Sequence, residues 1–184
     1  MSEPQPAAFL DRDGTLIEER SYPVKREDIV PLPGAGGALR RLQAAGFLTI
    51  VLTNQSAVAR GMIDEEGLGA LHQHLSQALA AEGGGLDDIF YCPHHPDGIN
   101  RAYAQRCRCR KPGPGLLEQA LAKYEIDLAS SIFVGDARRD LFLEAGPCRA
   151  RVLVRSGHAL DDIEGADLVL PSIVEAVDRI LAQA

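Results

Sequence analysis

Short apolar runs recur along the chain at residues 7–10, 48–52, 89–91, 132–134, 152–154 and 168–170. The first, second and fourth are nearly uniform in apolarity, which suits strands buried on both faces rather than alternating, half-exposed ones. Between the runs, apolar residues fall at helical spacing: Ala35, Ala38, Leu39 and Leu42, then Leu68, Leu71, Leu75, Ala78 and Leu79, then Leu117, Ala120, Leu121 and Tyr124, and last Ile173, Val177, Ile180 and Leu181. Strand and helix take turns. That order predicts an α/β fold, a Rossmann-like, doubly wound and mostly parallel sheet with helices on both faces. Ligands of such folds sit beyond the carboxyl ends of the strands, near the point where the strand order reverses. With 184 residues and 46% apolar content, the chain is sized for one domain over residues 1–184 with a substantial core.

The polar residues that follow the predicted strands carry the chemistry. Phe9-Leu10 runs into Asp11-Arg12-Asp13-Gly14-Thr15, two carboxylates where a strand ends. Carboxylates repel each other and are poor strand formers, so packing alone gives little reason to pair them there. Residues two apart in extended backbone point to the same side, which lets Asp11 and Asp13 reach one substrate. Thr53-Asn54-Gln55-Ser56 follows the second run, Arg110-Lys111-Pro112 precedes the helix at Leu116, and Gly135-Asp136 follows the fourth run, with Asp140 four residues on. A divalent cation held by Asp11 and Asp136 would offset repulsion between an anionic nucleophile and an incoming phosphate. Thr53 and Lys111 would bind the phosphoryl oxygens, while one carboxylate attacks and the other handles the proton. The bland reading, in which Asp11 and Asp13 cap a turn and Asp136 begins a helix, explains each residue singly but not the set. The 34–37 glycine-rich segment lacks the third glycine of a dinucleotide loop and follows no strand, and no Gly-x-x-x-x-Gly-Lys element is present.

Charge and termini narrow the partners. A net charge of -7 argues against binding a nucleic-acid backbone, so an anionic ligand must be held by a local cluster. The start, MSEPQPAAF, lacks a basic and apolar leader pattern, and no stretch approaches the roughly 20 apolar residues of a membrane span. A cytoplasmic protein is the expectation.

Three of the four cysteines, Cys92, Cys107 and Cys109, fall within eighteen residues. In a reducing compartment such clustering points to metal before disulfide. Cys92 with His94, and Cys107 with Cys109, form two i, i+2 pairs that can close a tetrahedral site, and three thiolates with an imidazole suit Zn2+. His94 rather than His95 is the ligand by this spacing. Four protein ligands leave no position for a reacting water, so the zinc is expected to be structural, ordering a loop over about 92–111 that has few aliphatic residues of its own. Because Cys109 adjoins Arg110 and Lys111, fixing the loop would fix two cations. Cys148 has no partner and is expected to be a small buried residue.

Asp11-Arg12-Asp13-Gly14-Thr15, the Thr53 set, Lys111 and Gly135-Asp136, in this order, resemble the four motifs of the haloacid-dehalogenase-like phosphatases over essentially the whole chain. The resemblance implies that Asp11 is the nucleophile of an aspartyl-phosphate, that Asp13 protonates the leaving oxygen and then activates water, and that Mg2+ is held by Asp11, the backbone carbonyl of Asp13 and Asp136. No room remains between the motifs for a separate cap domain. The Cys-x-His and Cys-x-Cys-Arg-Lys-Pro signature is similar to the D-glycero-D-manno-heptose-1,7-bisphosphate 7-phosphatase and histidinol-phosphatase group. The Thr53 to Gly61 and Tyr91 to Pro96 runs look more like the heptose family, and a second phosphate would use Arg110.

A capless site selects substrate with loops, so the expected contacts are Arg110, Asn54, Gln55 and Ser56, with Glu19, Arg20, Ser21 and Tyr22 on the segment after the first strand. The heptose phosphatases often carry a lysine directly after the fourth-motif aspartate, whereas this chain has Ala137 followed by Arg138 and Arg139. Either arginine could supply the missing charge, or both could lie on a solvated face of a helix ending near Ala145. Asp140 is expected to orient Lys111 or a metal-bound water. The alternatives are a histidinol-phosphatase, a nucleic-acid 3′-phosphatase, and a non-catalytic zinc-stabilised module. The expected partner is a small phosphorylated sugar, without nucleic acid or membrane, and a monomer is the simplest assembly.

Overall fold

The structure is a computed structural model that describes residues 3–158 and 160–182. Six strands, β1 (Ala7–Leu10), β2 (Leu48–Asn54), β3 (Asp88–Cys92), β4 (Ile132–Gly135), β5 (Ala150–Val154) and β6 (Leu168–Leu170), form one sheet in the order β3-β2-β1-β4-β5-β6. Every neighbouring pair is parallel. The chain builds outward from β1 through β2 to β3, then returns and builds the other way from β4. The reversal leaves a switch point between β1 and β4.

The uniform apolarity of the first and fourth runs is explained by burial on both sides. Along β1, Ala8 and Leu10 face one apolar cluster while Ala7 and Phe9 face another. In β4, Ile132 and Val134 join the first cluster and Phe133 the second. The first layer is completed by α1 (Ala35–Ala44), α2 (Glu65–Ala81) and α4 (Ile173–Leu181), and the second by α3 (Gly115–Lys123). Phe9 stacks on Phe133 at 5.1 Å and Phe133 on Phe142 at 5.4 Å, so the thinner layer is held by aromatic area. The residues flanking the helices match their ends. Asp64 accepts the Gly67 amide at 2.8 Å to cap α2, and Ser172 accepts the Val174 amide at 3.1 Å to cap α4. Gly34 stands at the N-cap of α1, and Gly36 and Gly37 lie in its first turn.

Two expectations are corrected. No α-helix runs on from Asp136 to Ala145; two 3-10 turns, Arg138–Leu141 and Leu143–Ala145, stand there, broken at Phe142 with φ 44°. The cause lies in the side chains. Asp140 turns back to accept the Ala137 amide at 3.0 Å and to meet Lys111, and Phe142 turns its ring onto Phe133. Cys148 is only partly buried, at the margin of the second cluster. Among the described residues, no helix is long and apolar enough to cross a membrane.

Candidate active site

β2, β1 and β4 end side by side, and the residues at the end of β2 and just past β1 line a cleft of about 290 Å³. The Asp11 amide donates to Val134 O at 3.0 Å, continuing the β1 to β4 ladder and aiming the carboxylate over the strand ends. Lys111 reaches in from the far end of the 92–111 loop. Its Nζ lies 2.7 Å from Asp11 Oδ1, 2.7 Å from Asp140 Oδ1 and 2.6 Å from Leu52 O. Burial alone would push this amine down, but the carboxylates of Asp11 and Asp140 hold it above its ordinary value, so it is a cation. Asp140, raised to about 6 by burial against the pull of Lys111, completes the triad. The Asn54 side chain clamps the Lys111 backbone, accepting its amide at 2.9 Å and donating to its carbonyl at 3.2 Å. Asn54 also lines the cleft.

Asp136, at the end of β4, has its two oxygens in different situations. Oδ2 accepts the His158 amide at 2.8 Å and lies 2.6 Å from His158 Nδ1, whereas Oδ1 is buried with no hydrogen-bond partner among the described residues. Asp11, Asp136 and Asp140 each bring a carboxylate oxygen within 4.8 Å of the others. Three buried carboxylates with an orphaned oxygen among them fit a hard divalent cation, which takes oxygen ligands. Gly14 and Gly157 make the approach possible. A Cβ at Gly14, whose φ is +74°, would stand 2.5 Å from Asp136 Oδ2, and one at Gly157 would collide with the same carboxylate.

The remaining expected residues line the same cleft: Asp13, Glu19, Arg20, Ser21, Tyr22, Thr53, Gln55, Ser56 and Arg110. Burial raises Glu19 to about 7, opposed by His158 and reinforced by Asp13, Asp136 and Asp11. Arg110 donates to His94 O at 3.3 Å, so it is tied to the loop it follows. Tyr22 stacks beneath the Arg60 guanidinium at 5.1 Å. Of the two arginines after Ala137, Arg139 lines the cleft, and Arg138 is turned outward to Asp162 and Glu164.

Two site residues escape the sequence reading. Arg12, fully buried, donates through Nε and Nη2 to both Asp13 oxygens at 3.0 Å and through Nη2 to Gln55 at 2.8 Å. Between two strand-end aspartates it looks like a solvated charge, but a partner 43 residues away, Gln55, meets it in the interior. His158 follows β5 in a polar set, Arg155-Ser156-Gly157-His158, of the same kind that marks the ends of β1, β2 and β4.

Beside the cleft, Cys92, His94, Cys107 and Cys109 converge. Sulfur to sulfur distances are 3.1, 3.3 and 3.5 Å, and His94 Nδ1 lies 3.3 Å from Cys109 Sγ and 3.8 Å from Cys92 Sγ. His95 stands outside this set, its Nδ1 taking the Asp97 amide at 3.1 Å. Burial pushes the Cys92 and Cys109 thiols up, so a bound cation is what would hold them as thiolates. Four soft and borderline donors at these separations fit zinc.

A doubly wound sheet whose switch point carries two strand-end aspartates, a threonine, a buried lysine and a metal-type carboxylate set defines a haloacid-dehalogenase-like hydrolase. Residues 108–176 match the HAD-hydrolase-like family model. The chain is 42% identical over 175 residues, 93% of its own length and 96% of the relative's, to D-glycero-beta-D-manno-heptose-1,7-bisphosphate 7-phosphatase of Haemophilus ducreyi. It is 38% identical over 186 residues to the protein of the same name in Escherichia coli K12, covering 100% of this chain and 97% of that one. The crystal structure of D,D-heptose 1,7-bisphosphate phosphatase from B. bronchiseptica, complexed with magnesium and phosphate, superposes with a TM-score of 0.82 at 35% identity, covering 97% of this chain and 99% of that one. The chain belongs to the D-glycero-beta-D-manno-heptose-1,7-bisphosphate 7-phosphatase family.

Proposed function

We propose that the protein is a magnesium-dependent phosphomonoesterase that removes the 7-phosphate of D-glycero-beta-D-manno-heptose 1,7-bisphosphate through an aspartyl-phosphate. The observation that carries this reading is the convergence of Asp11, Asp13, Thr53 and Lys111 on one cleft, beside an Asp136 oxygen that has no partner among the described residues. Full-length relatives with the heptose name support the substrate.

Asp11 is the nucleophile. Lys111 and Thr53 bind the phosphoryl oxygens and neutralise charge as it shifts, in a step that depends mostly on positioning. Asp11 and Asp136, with the Asp13 carbonyl, would hold Mg2+, which when bound supplies charge neutralisation between nucleophile and phosphate. Asp13 gives its proton to the departing sugar oxygen, and then takes one from the water that opens the acyl phosphate. Asp140 keeps Lys111 in place, the His158 ring holds Asp136, and Asn54 holds the Lys111 backbone. Zn2+ would be held by Cys92, His94, Cys107 and Cys109 as a structural ion that anchors Arg110 and Lys111.

Besides Lys111, the cleft is lined by Arg20, Arg110 and Arg139; Arg20 is paired with Glu18 at 2.8 Å, which leaves Arg110 and Arg139 for the distal phosphate of the sugar. Arg139 thus supplies a cation two residues beyond Ala137. The test is phosphate release, with and without magnesium, from both anomers of the heptose bisphosphate and from histidinol phosphate, with Asp11→Asn alongside. Fast magnesium-dependent release from the beta anomer and none from Asp11→Asn is the expected result. Turnover of histidinol phosphate alone would move the same chemistry to another substrate.

A further inference from the structure

Gln55 lies at the end of β2 among Arg12, Asp13 and Thr53, buried to 4% exposure with every polar atom of its side chain engaged. A guanidinium carries only donors, so the amide atom facing Arg12 Nη2 at 2.8 Å must be the oxygen. Nε2 then faces Asp13 Oδ2 at 2.9 Å and Thr53 Oγ1 at 2.8 Å. An amide nitrogen donates both its hydrogens and accepts nothing. Flipping the amide would set NH2 against guanidinium and oxygen against carboxylate, so Arg12 leaves only one orientation.

The consequence falls on Thr53. Its oxygen accepts from Gln55, and among the described residues no acceptor takes the hydroxyl proton, which is left to point into the cleft. Asp13 is held by the same device, its two oxygens receiving Arg12 Nε and Nη2 at 3.0 Å as well as the amide. We propose that Gln55, oriented by the buried guanidinium of Arg12, is a positioning residue that aims the Thr53 hydroxyl at the phosphoryl group and sets the stance of Asp13. A hydroxyl already aimed needs no reorientation when phosphate arrives, which is the kind of donor that stabilises developing charge. The side chain foreseen as a substrate contact therefore acts through its neighbours.

The inference rests on the phosphatase reading above, and its test separates the two. Gln55→Glu is nearly isosteric but replaces the NH2 by an acceptor, so the Thr53 proton is drawn inward. The substrate is 4-nitrophenyl phosphate, whose leaving group departs without a proton, which minimises the contribution of Asp13 to the first step. We expect kcat/KM to fall roughly 10- to 100-fold in Gln55→Glu and by a similar factor in Thr53→Val. The double variant should then be within about threefold of the worse single one, because both remove the same bond. Losses that multiply in the double variant, or an unchanged rate in Gln55→Glu, overturn the inference. Gln55→Met, which keeps the volume and carries neither donor nor amide, goes through the same cycle if Gln55→Glu melts early. It should show a smaller loss with the same lack of additivity, and multiplying losses there overturn the inference equally. Activity surviving in Asp11→Asn overturns the phosphatase reading as well, whereas an inactive Asp11→Asn beside multiplying losses overturns the positioning role alone.

Discussion

Lys111 is a buried cation because two carboxylates face it, and each of the three is tolerable only with the others present. Lys111→Met should lower turnover by about 100-fold or more and stability by about 3–5 kcal/mol, since Asp11 and Asp140 would face each other unpaired. Adding Asp140→Asn should restore part of the melting temperature and none of the phosphate release; recovery of both would remove Lys111 from the chemistry. A second residue sets a pH response. His72 is buried in α2 against Tyr91, its Nε2 without a partner among the described residues, and burial aided by the Arg12 charge lowers it to about 3. The unfolded chain takes up this proton near pH 6.5, the folded chain only near 3, so stability is complete above pH 6.5 and declines as pH falls. Between pH 7 and pH 4.5 the loss should be about 2–3 kcal/mol by urea titration. His72→Phe should remove that part of the slope, and an identical slope would mean other groups cause it. Asp11, Asp13, Thr53 and Asp136 were legible as candidates because a polar residue just past an apolar strand is conspicuous, and Lys111 because it adjoins the cysteine cluster just before a helix. Arg12 was not, because its burial depends on Gln55, 43 residues away.

The loop over 92–111 is held by more than its cysteine and histidine cluster. Glu65 in the first turn of α2 accepts the Tyr91 hydroxyl at 3.1 Å and the Tyr103 hydroxyl at 2.9 Å, tying the loop to a helix on the opposite side of β3 from the thiols. Removing zinc by chelation should lower the melting temperature and, through Arg110 and Lys111, abolish turnover. Glu65→Ala should cost about 1 kcal/mol and speed zinc loss to a chelator without changing which residues bind it. A melting point indifferent to the chelator would remove the structural role of the cluster. The pairing of these ligands was legible from their spacing in the chain. The Glu65 tie was not, since nothing local links a glutamate at a helix start to tyrosines 26 and 38 residues on. The segment after Asp136 shows the converse. Its polar residues suit a helix, but the pull of Lys111 on Asp140 and of Phe133 on Phe142 breaks it into turns.

At the scale of the molecule, β1 and β4 carry both the core and the site. Phe133 joins Phe9 and Phe142 in the thinner layer, one residue before Val134, which receives the Asp11 amide. Phe133→Ala should cost about 3–5 kcal/mol. Because the same two strands position Asp11 and Asp136, circular dichroism and phosphate release should be lost together on urea titration. An early loss of activity with the sheet intact would show that the strand ends soften independently of the core.

The alternation of apolar runs with helical stripes determined the doubly wound sheet, since strands buried on both faces must be uniformly apolar and parallel neighbours need crossovers. Polar residues at strand ends likewise marked Asp11, Asp13, Thr53 and Asp136 as candidate site residues, and spacing marked Lys111 and the thiol cluster. These are local signals, carried by residues within a few positions of one another. Only the tertiary structure decided that Arg12 turns inward, that Gln55 and Asn54 brace the site from within, that His158 takes one oxygen of Asp136, and that Arg139 rather than Arg138 faces the cleft. Each depends on hydrogen bonds or ion pairs between groups far apart in the chain, and such partners are set by packing rather than by spacing.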